Sequence, residues 1–206
     1  MADRPVQPAG NFYDKYGSKN PIARWLMARF LRDFDALVAQ TGHTGRAIEI
    51  GCGEGELSMR LARRGMTVEA CDIAAEAVAE AKRRAGAAQL DIAFATRPLE
   101  QARQHYAPAE LVVCCEVMEH LDDPAAALDE LAALSQRYLL VSVPREPLWR
   151  ALNLARFHYV SDLGNTPGHV QHWSKRGFVN LLAKRFHIEA VRSPLPWTMV
   201  LCRVAP

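Results

Sequence analysis

The run Ala47-Ile-Glu-Ile-Gly-Cys-Gly-Glu-Gly55 combines the residue types best suited to holding a ligand. A short apolar segment enters a turn in which Gly51, Gly53 and Gly55 put no Cβ between backbone and guest, with Cys52 between the first two. A helix beginning near Glu56 would aim its free N–H groups at that guest. The spacing is not that of a dinucleotide fingerprint, G-x-G-x-x-G, which would place its third glycine at position 56. Here position 56 is Glu, and Glu54 and Glu56 would repel a diphosphate. Asp72 closes the next apolar run, where a carboxylate can accept from both hydroxyls of a ribose. Ile73 could lie on an adenine face, and Glu49 could hold an ammonium directly or through water. The combination suits a ligand with ribose, adenine and a cationic amino-acid tail but no phosphate.

Glu49 to Gly55 followed by Asp72 resembles the cofactor site of the class I S-adenosylmethionine-dependent methyltransferases. Farther on, Cys115-Glu-Val-Met-Glu-His-Leu-Asp-Asp-Pro124 is similar to the E-V-x-E-H turn of the methyltransferase type 11 branch that includes ubiquinone-type O-methyltransferases. The resemblance runs from about residue 45 to 143 and weakens beyond. It implies a Rossmann-like, doubly wound sheet and S-adenosyl-L-methionine as methyl donor, with S-adenosyl-L-homocysteine as product. It also implies that Glu116 and Val117 neighbour the cofactor and that His120 orients their loop. The family often carries an Asp at the end of the third strand; this chain has Thr96 there, with Leu99 as a hydrophobic neighbour of the adenine ring. The segment 11–21 looks like arms that fold over the cofactor in related enzymes, which would bring Tyr13 and Tyr16 to the sulfonium or simply pack them on the domain. The turn after the fourth strand lacks the Asn/Asp-Pro-Pro-aromatic pattern of enzymes that methylate base amines.

Methyl transfer from a sulfonium asks the protein to align nucleophile and carbon and to exclude water. A base is needed only where the acceptor must lose a proton. Candidates are His169 and His172 in Gly168-His-Val-Gln-His-Trp-Ser174, a segment similar to one that faces the acceptor in related enzymes. Either could instead hydrogen-bond lid backbone. His158, His169 and His172 are also possible metal ligands, but no carboxylate or thiol completes a recognisable spacing, so no metal is expected. Arg145 and Arg150 could recognise an anionic acceptor, or pair with Glu146 in solvent. Trp173 is expected among the acceptor-binding residues.

These residues need elements to position them. Strands are expected at residues 47–50, 67–71, 91–95, 111–115, 138–143, 187–192 and 197–204, and helices at 20–40, 56–64, 74–85, 124–136 and 175–185. Regular alternation argues for an α/β fold with a mostly parallel, seven-stranded sheet covered on both faces. Only Ser193-Pro-Leu-Pro196 separates the last two strands, so that pair should be antiparallel. Ser174 is expected to cap the last helix. Residues 144–173 interrupt the rhythm with aromatics, prolines and glycines, and read as an acceptor-side lid between the fifth strand and the last helix. One domain spanning 1–206 follows, with residues 1–19 as a mobile arm.

Composition sets the outer limits. The chain has 206 residues, half of them hydrophobic, and 25 basic against 23 acidic residues. A net charge of +2 gives no case for a nucleic-acid partner, and Lys82-Arg-Arg84 reads as a solvated helix end. Five scattered cysteines fit buried thiols in a reducing compartment. With no apolar leader and no run long enough to span a membrane, a cytoplasmic enzyme is expected, as monomer or homodimer. The function expected is methyl transfer to a small-molecule O, N or S nucleophile. The alternatives are a lipid-linked, glycan or protein acceptor, or a module that binds the cofactor without turnover.

Overall fold

The computed structural model describes residues 20–155, 159 and 162–204. Its centre is a seven-stranded sheet in the order β3-β2-β1-β4-β5-β7-β6. The strands are β1 (Arg46–Ile50), β2 (Thr67–Asp72), β3 (Ile92–Thr96), β4 (Ala109–Cys115), β5 (Ser135–Pro144), β6 (Phe186–Arg192) and β7 (Trp197–Val204). The first five pair in parallel, and β7 runs antiparallel to both neighbours, β5 and β6. The short Pro-containing link before β7 has no room for a crossover, which is the physical reason for the reversal.

The central strands read as nearly continuous apolar runs because both their faces are covered. Alternate residues serve opposite layers. Ile48, Ile50, Val112 and Cys114 join Leu128, Leu131, Phe178 and Leu182 on one side. Ala47, Leu111 and Val113 join Phe30, Phe34, Leu37, Leu57 and Leu61 on the other. The first layer is supplied by α5 (Pro124–Leu134) and α7 (Lys175–Leu182), the second by α1 (Pro21–Gln40) and α2 (Glu56–Arg63). A smaller cluster under α3 (Ala75–Ala87) joins Val78, Ala81 and Ala85 to Phe94 and Met59.

Helix boundaries follow their capping chemistry. The Asn20 side chain accepts from the N–H groups of Ile22 and Ala23, with Pro21 in the first turn. Asp123 and Pro124 repeat this device at α5, and Ser174 caps α7 by accepting from Gly177 N. Two short helices lie outside the expected set, α4 (Ala102–His105) and α6 (Leu148–Ala155). The expected lid is therefore part helical. Lys82, Arg83 and Arg84 lie toward the C-terminal end of α3, with Lys82 and Arg83 exposed and Arg84 in its last turn. Arg83 and Arg84 both bond Glu80, and Arg84 also reaches Glu54 at 2.5 Å.

All five cysteines are buried free thiols. Among the described residues no helix is long and apolar enough to cross a membrane.

Candidate functional site

The carboxyl ends of β3, β2, β1 and β4 lie side by side, and the described residues expected at the cofactor, from Glu49 to Val117, sit at those ends or on the turns that leave them. The glycine turn after β1 is tied to β2, since Gly51 N and Cys52 N both donate to Cys71 O, at 2.7 and 3.0 Å. Gly51 has φ +76°, and a Cβ there would fall 2.1 Å from Val117 Cγ2. The turns after β1 and β4 therefore approach each other more closely than any side chain at position 51 would allow. At Gly53, by contrast, a Cβ would meet nothing within 4 Å, so this backbone faces open space. Gly55 faces inward, where a Cβ would press on Ala81 and Phe94 at 3.0 Å. The missing Cβ at this position allows the close helix–sheet packing.

Asp72 is positioned by this same turn. One carboxylate oxygen accepts from Gly53 N at 2.8 Å and the other from Ala74 N at 2.9 Å. Each oxygen keeps further acceptor capacity for hydroxyl donors. Ile73, beside it, is 52% exposed, a large apolar side chain held at the mouth of the site. Thr96 pairs in register with Asp72 at the exposed end of β3. Leu99 is buried in the core with Ala102, Tyr106 and Met118. Cys52 is buried, its sulfur 3.7 Å from Gly53 O, and burial pushes its thiol up.

Glu49 is 2% exposed and accepts a short hydrogen bond from Ser58 Oγ of α2. Burial pushes its carboxyl up to about 8; Asp72 adds to the rise, and the Ser58 bond works against it. A buried, largely neutral acid beside the glycine turn is poised to ionise when a cation arrives. Glu54 and Glu56, whose charge the sequence reading set against a diphosphate, each have an arginine partner, Arg84 and Arg60. These pairings offset much of the negative charge that a diphosphate would meet.

Glu116 turns away from the glycine loop. Its backbone has φ +61°, and its side chain accepts from Ser142 Oγ at 2.9 Å and Trp197 Nε1 at 2.6 Å. It thereby joins the ends of β4, β5 and β7. Val117 remains against Gly51. Ser58, Ser142 and Trp197 are partners that the sequence reading did not single out. They are distant in sequence from the acids they serve, and only the strand order brings them together.

The segment that follows β5 stands beside Glu116. Trp149 lies 5.8 Å from Trp197 and stacks at 27° on His169, 6.0 Å away between ring centroids. His169 is buried, with the His120 ring edge-on at 4.9 Å. His120 Nδ1 meets Gly168 O at 2.9 Å, so this histidine ties its turn to the segment that precedes α7. His172 is exposed and bonded to Asn165 Oδ1 at 2.8 Å. Of the three histidines considered as ligands, His169 and His172 are described, and His172 is held apart on Asn165. Instead, Glu119, His120 and His169 bring ligand-type atoms within 4.8 Å of one another, supplying the carboxylate that sequence spacing did not reveal. Arg150 donates through Nε to Leu163 O, and among the described residues neither it nor Arg145 forms an ion pair with Glu146. Trp173 is partly buried and packs on Phe178 at 5.4 Å, against the core. Tyr13, Tyr16 and His158 lie outside the described residues.

The described cofactor-side residues fit an adenosyl amino acid: open backbone at Gly53, a diol acceptor at Asp72, an exposed apolar side chain at Ile73 and a buried acid at Glu49. Comparison with known proteins agrees. Residues 22–185 match the family model described as a methyltransferase domain. A ubiquinone biosynthesis O-methyltransferase from Xylella fastidiosa is 34% identical over 90 residues, 43% of this chain and 37% of the relative. One from Xanthomonas campestris is 28% identical over 166 residues, 78% of this chain and 68% of the relative. The matched segments thus span from just over a third to about two thirds of these relatives. Among solved structures, magnesium protoporphyrin IX methyltransferase from Synechocystis, with bound SAH, superposes with a TM-score of 0.73 at 22% identity. That superposition covers 93% of this chain and 91% of the other.

Proposed function

The chain belongs to the methyltransferase-domain family of class I S-adenosylmethionine-dependent enzymes, and on that premise we propose that it methylates a small-molecule acceptor, with oxygen the preferred nucleophile. Asp72 carries the reading: its carboxylate is held by Gly53 N and Ala74 N at the end of β2, directed by the glycine turn and flanked by exposed Ile73. In this reading Asp72 accepts from the ribose hydroxyls, Ile73 and Thr96 flank the adenine, and Glu49 meets the amino-acid ammonium. The backbone from Gly51 to Gly53 lets the ligand approach.

When bound, S-adenosylmethionine supplies a methyl group on a sulfonium whose sulfur leaves as a neutral thioether. The protein's own task is orientation and exclusion of water. Trp149, Trp197 and the Glu116 carboxylate line the edge beyond β4, β5 and β7, next to the proposed cofactor cleft. We assign the acceptor to that edge, with Arg145 and Arg150 at its rim. An aromatic wall with one fixed carboxylate suits a partly apolar acceptor bearing a hydroxyl, consistent in kind with the named relatives. The hydroxyl's proton falls to the group around His169 rather than to exposed His172. Arg150, engaged with Leu163 O, offers less to an anionic lipid or glycan phosphate than its sequence position implied.

The test is methyl transfer from methyl-labelled cofactor to a panel of phenols, catechols, carboxylic acids, amines and thiols. Label appearing chiefly on hydroxyl acceptors supports the reading. Label confined to amines or thiols, or transfer only to added protein or lipid, overturns the acceptor assignment while leaving the family intact.

A further inference from the structure

Glu49 lies near the end of β1 at 2% exposure, and among the described residues no arginine, lysine or histidine forms an ion pair with it. The titratable groups that face it are themselves acids. Asp72 comes from β2 and Glu56 from α2, and the thiols of Cys52, Cys71, Cys114 and Cys115 stand around it from the glycine turn, β2 and β4. Each of these groups is neutral or negative, so none of them can balance an ionised Glu49. Burying a carboxylate in such surroundings is costly unless hydrogen bonds or a cation compensate its charge.

The compensation comes from a single residue. Ser58 is fully buried, and its Oγ donates a short hydrogen bond to Glu49 Oε2. Its backbone N–H acts on the same carboxyl. Ser58 is the third residue of α2 after the Gly55 cap, and the intrahelical series there begins with Met59 N, which donates to Gly55 O at 2.9 Å. The N–H of Ser58 is thus one of the free donors of a helix N-terminus, where the dipole favours an anion. Two opposed influences meet at one carboxyl. Burial and the neighbouring acids favour the neutral form, and the hydroxyl and N–H of Ser58 favour the ion.

We propose that Ser58 is a positioning residue for cofactor binding, which holds the Glu49 carboxyl in place beside the glycine turn and sets the pH at which that acid receives a ligand's ammonium. This role rests on the pairing of Glu49 with the cofactor ammonium proposed above. Ser58 itself, fully buried, acts only through Glu49. For each neutral Glu49 that takes up a ligand, one proton leaves to solvent and the ammonium becomes the counter-ion. The Ser58 bond is kept throughout, so the carboxylate gains a partner without losing its orientation.

The experiment measures S-adenosylhomocysteine binding by calorimetry between pH 6 and pH 9 in the full chain and in Ser58→Ala, Ser58→Thr, Glu49→Gln and the double variant Ser58→Ala with Glu49→Gln. In parallel, the ligand-free chain, labelled with carbon-13 at its glutamate carboxyls, is titrated by NMR, the Glu49 signal being identified by its loss in Glu49→Gln. Binding to the parent should tighten as pH rises toward the Glu49 midpoint. Ser58→Ala should raise that midpoint by about one pH unit, weakening binding about tenfold near pH 7 and only about twofold near pH 9. Ser58→Thr, which keeps the hydroxyl, should return the profile toward that of the parent. With Glu49→Gln already in place, Ser58→Ala should change affinity equally at every pH. Circular dichroism checks that each variant is folded. An unmoved midpoint in folded Ser58→Ala, or a loss of affinity equal at every pH, overturns the role of Ser58 and leaves the cofactor reading standing. A folded parent that binds no S-adenosylhomocysteine overturns that reading, and the cofactor role of Ser58 with it.

Discussion

Glu49 and Asp72 show how two carboxylates a short distance apart acquire different tasks from their surroundings. Asp72 is partly exposed and fixed by two backbone donors, so it stays anchored while meeting a ligand's hydroxyls. Replacing it with alanine should weaken S-adenosylhomocysteine binding by about 1.5–3 kcal/mol, the scale of hydrogen bonds to a charged group. Calorimetry on the folded variant checks this, and unchanged affinity would remove Asp72 from the site. Glu49 is buried, and its carboxyl is pushed up to about 8 from 4.5. A raised folded pKa means that its contribution to stability is fully present below pH 4.5 and is lost as pH rises through 8. Against Glu49→Gln, the parent chain should therefore lose up to about 1.4 kcal/mol per pH unit across that window, read from urea midpoints. Pairing with an ammonium requires the ionised acid, so cofactor binding near pH 7 should release a proton and tighten toward pH 8. Calorimetry in buffers of different ionisation enthalpy should show that release in the parent and not in Glu49→Gln. Both acids were legible in the sequence as types and positions. Ser58, which bonds Glu49, and Trp197, which bonds Glu116, were not, because nothing in local spacing records a contact made across the sheet.

Among the elements, the strands were the most legible, and their boundaries moved by only a few residues. Both faces of the sheet are covered, so apolar runs such as Leu111 to Cys115 mark strands directly. The largest extension is at β5, which begins at Ser135 rather than at residue 138. The polar start of that strand, with Gln136 and Arg137 exposed, hides it from a hydrophobicity reading. Helix α6 was missed because Pro147 and the later glycines mark the whole insertion as irregular. Yet Pro147 sits just before the helix begins at Leu148, where its fixed φ is tolerated. The contact between the turns after β1 and β4 gives a prediction at this scale. Gly51→Ala should destabilise the chain by about 1–3 kcal/mol through overpacking against Val117. Adding Val117→Ala should restore part of that loss, the remainder being the cost of positive φ at an alanine. Equilibrium unfolding of both variants decides. A harmless single substitution would mean that the two turns are not in contact.

At the scale of the whole molecule, strand order turns scattered residues into one functional edge. The reversal between β1 and β4, with β2 and β3 on one side and β5 and β7 on the other, opens a crevice at the carboxyl ends of the strands. The glycine turn, Asp72 and Thr96 lie on one side of it, and Glu116, Trp149, Trp197 and His169 on the other. Sequence alternation and the Pro-containing link before β7 were enough to anticipate the mixed sheet. The pairing of lid and turn through Glu119, His120 and His169 was not, because it joins residues about 50 positions apart by tertiary packing alone. The central claim is that this crevice takes an adenosyl amino acid rather than a dinucleotide. Isothermal titration calorimetry of the purified chain, freed of carried-over ligand, with S-adenosylmethionine, S-adenosylhomocysteine and NAD in parallel tests it most directly. The account predicts one site per chain for both adenosyl compounds and no heat from NAD. Silence toward both in folded protein, or binding of NAD in their place, would contradict it.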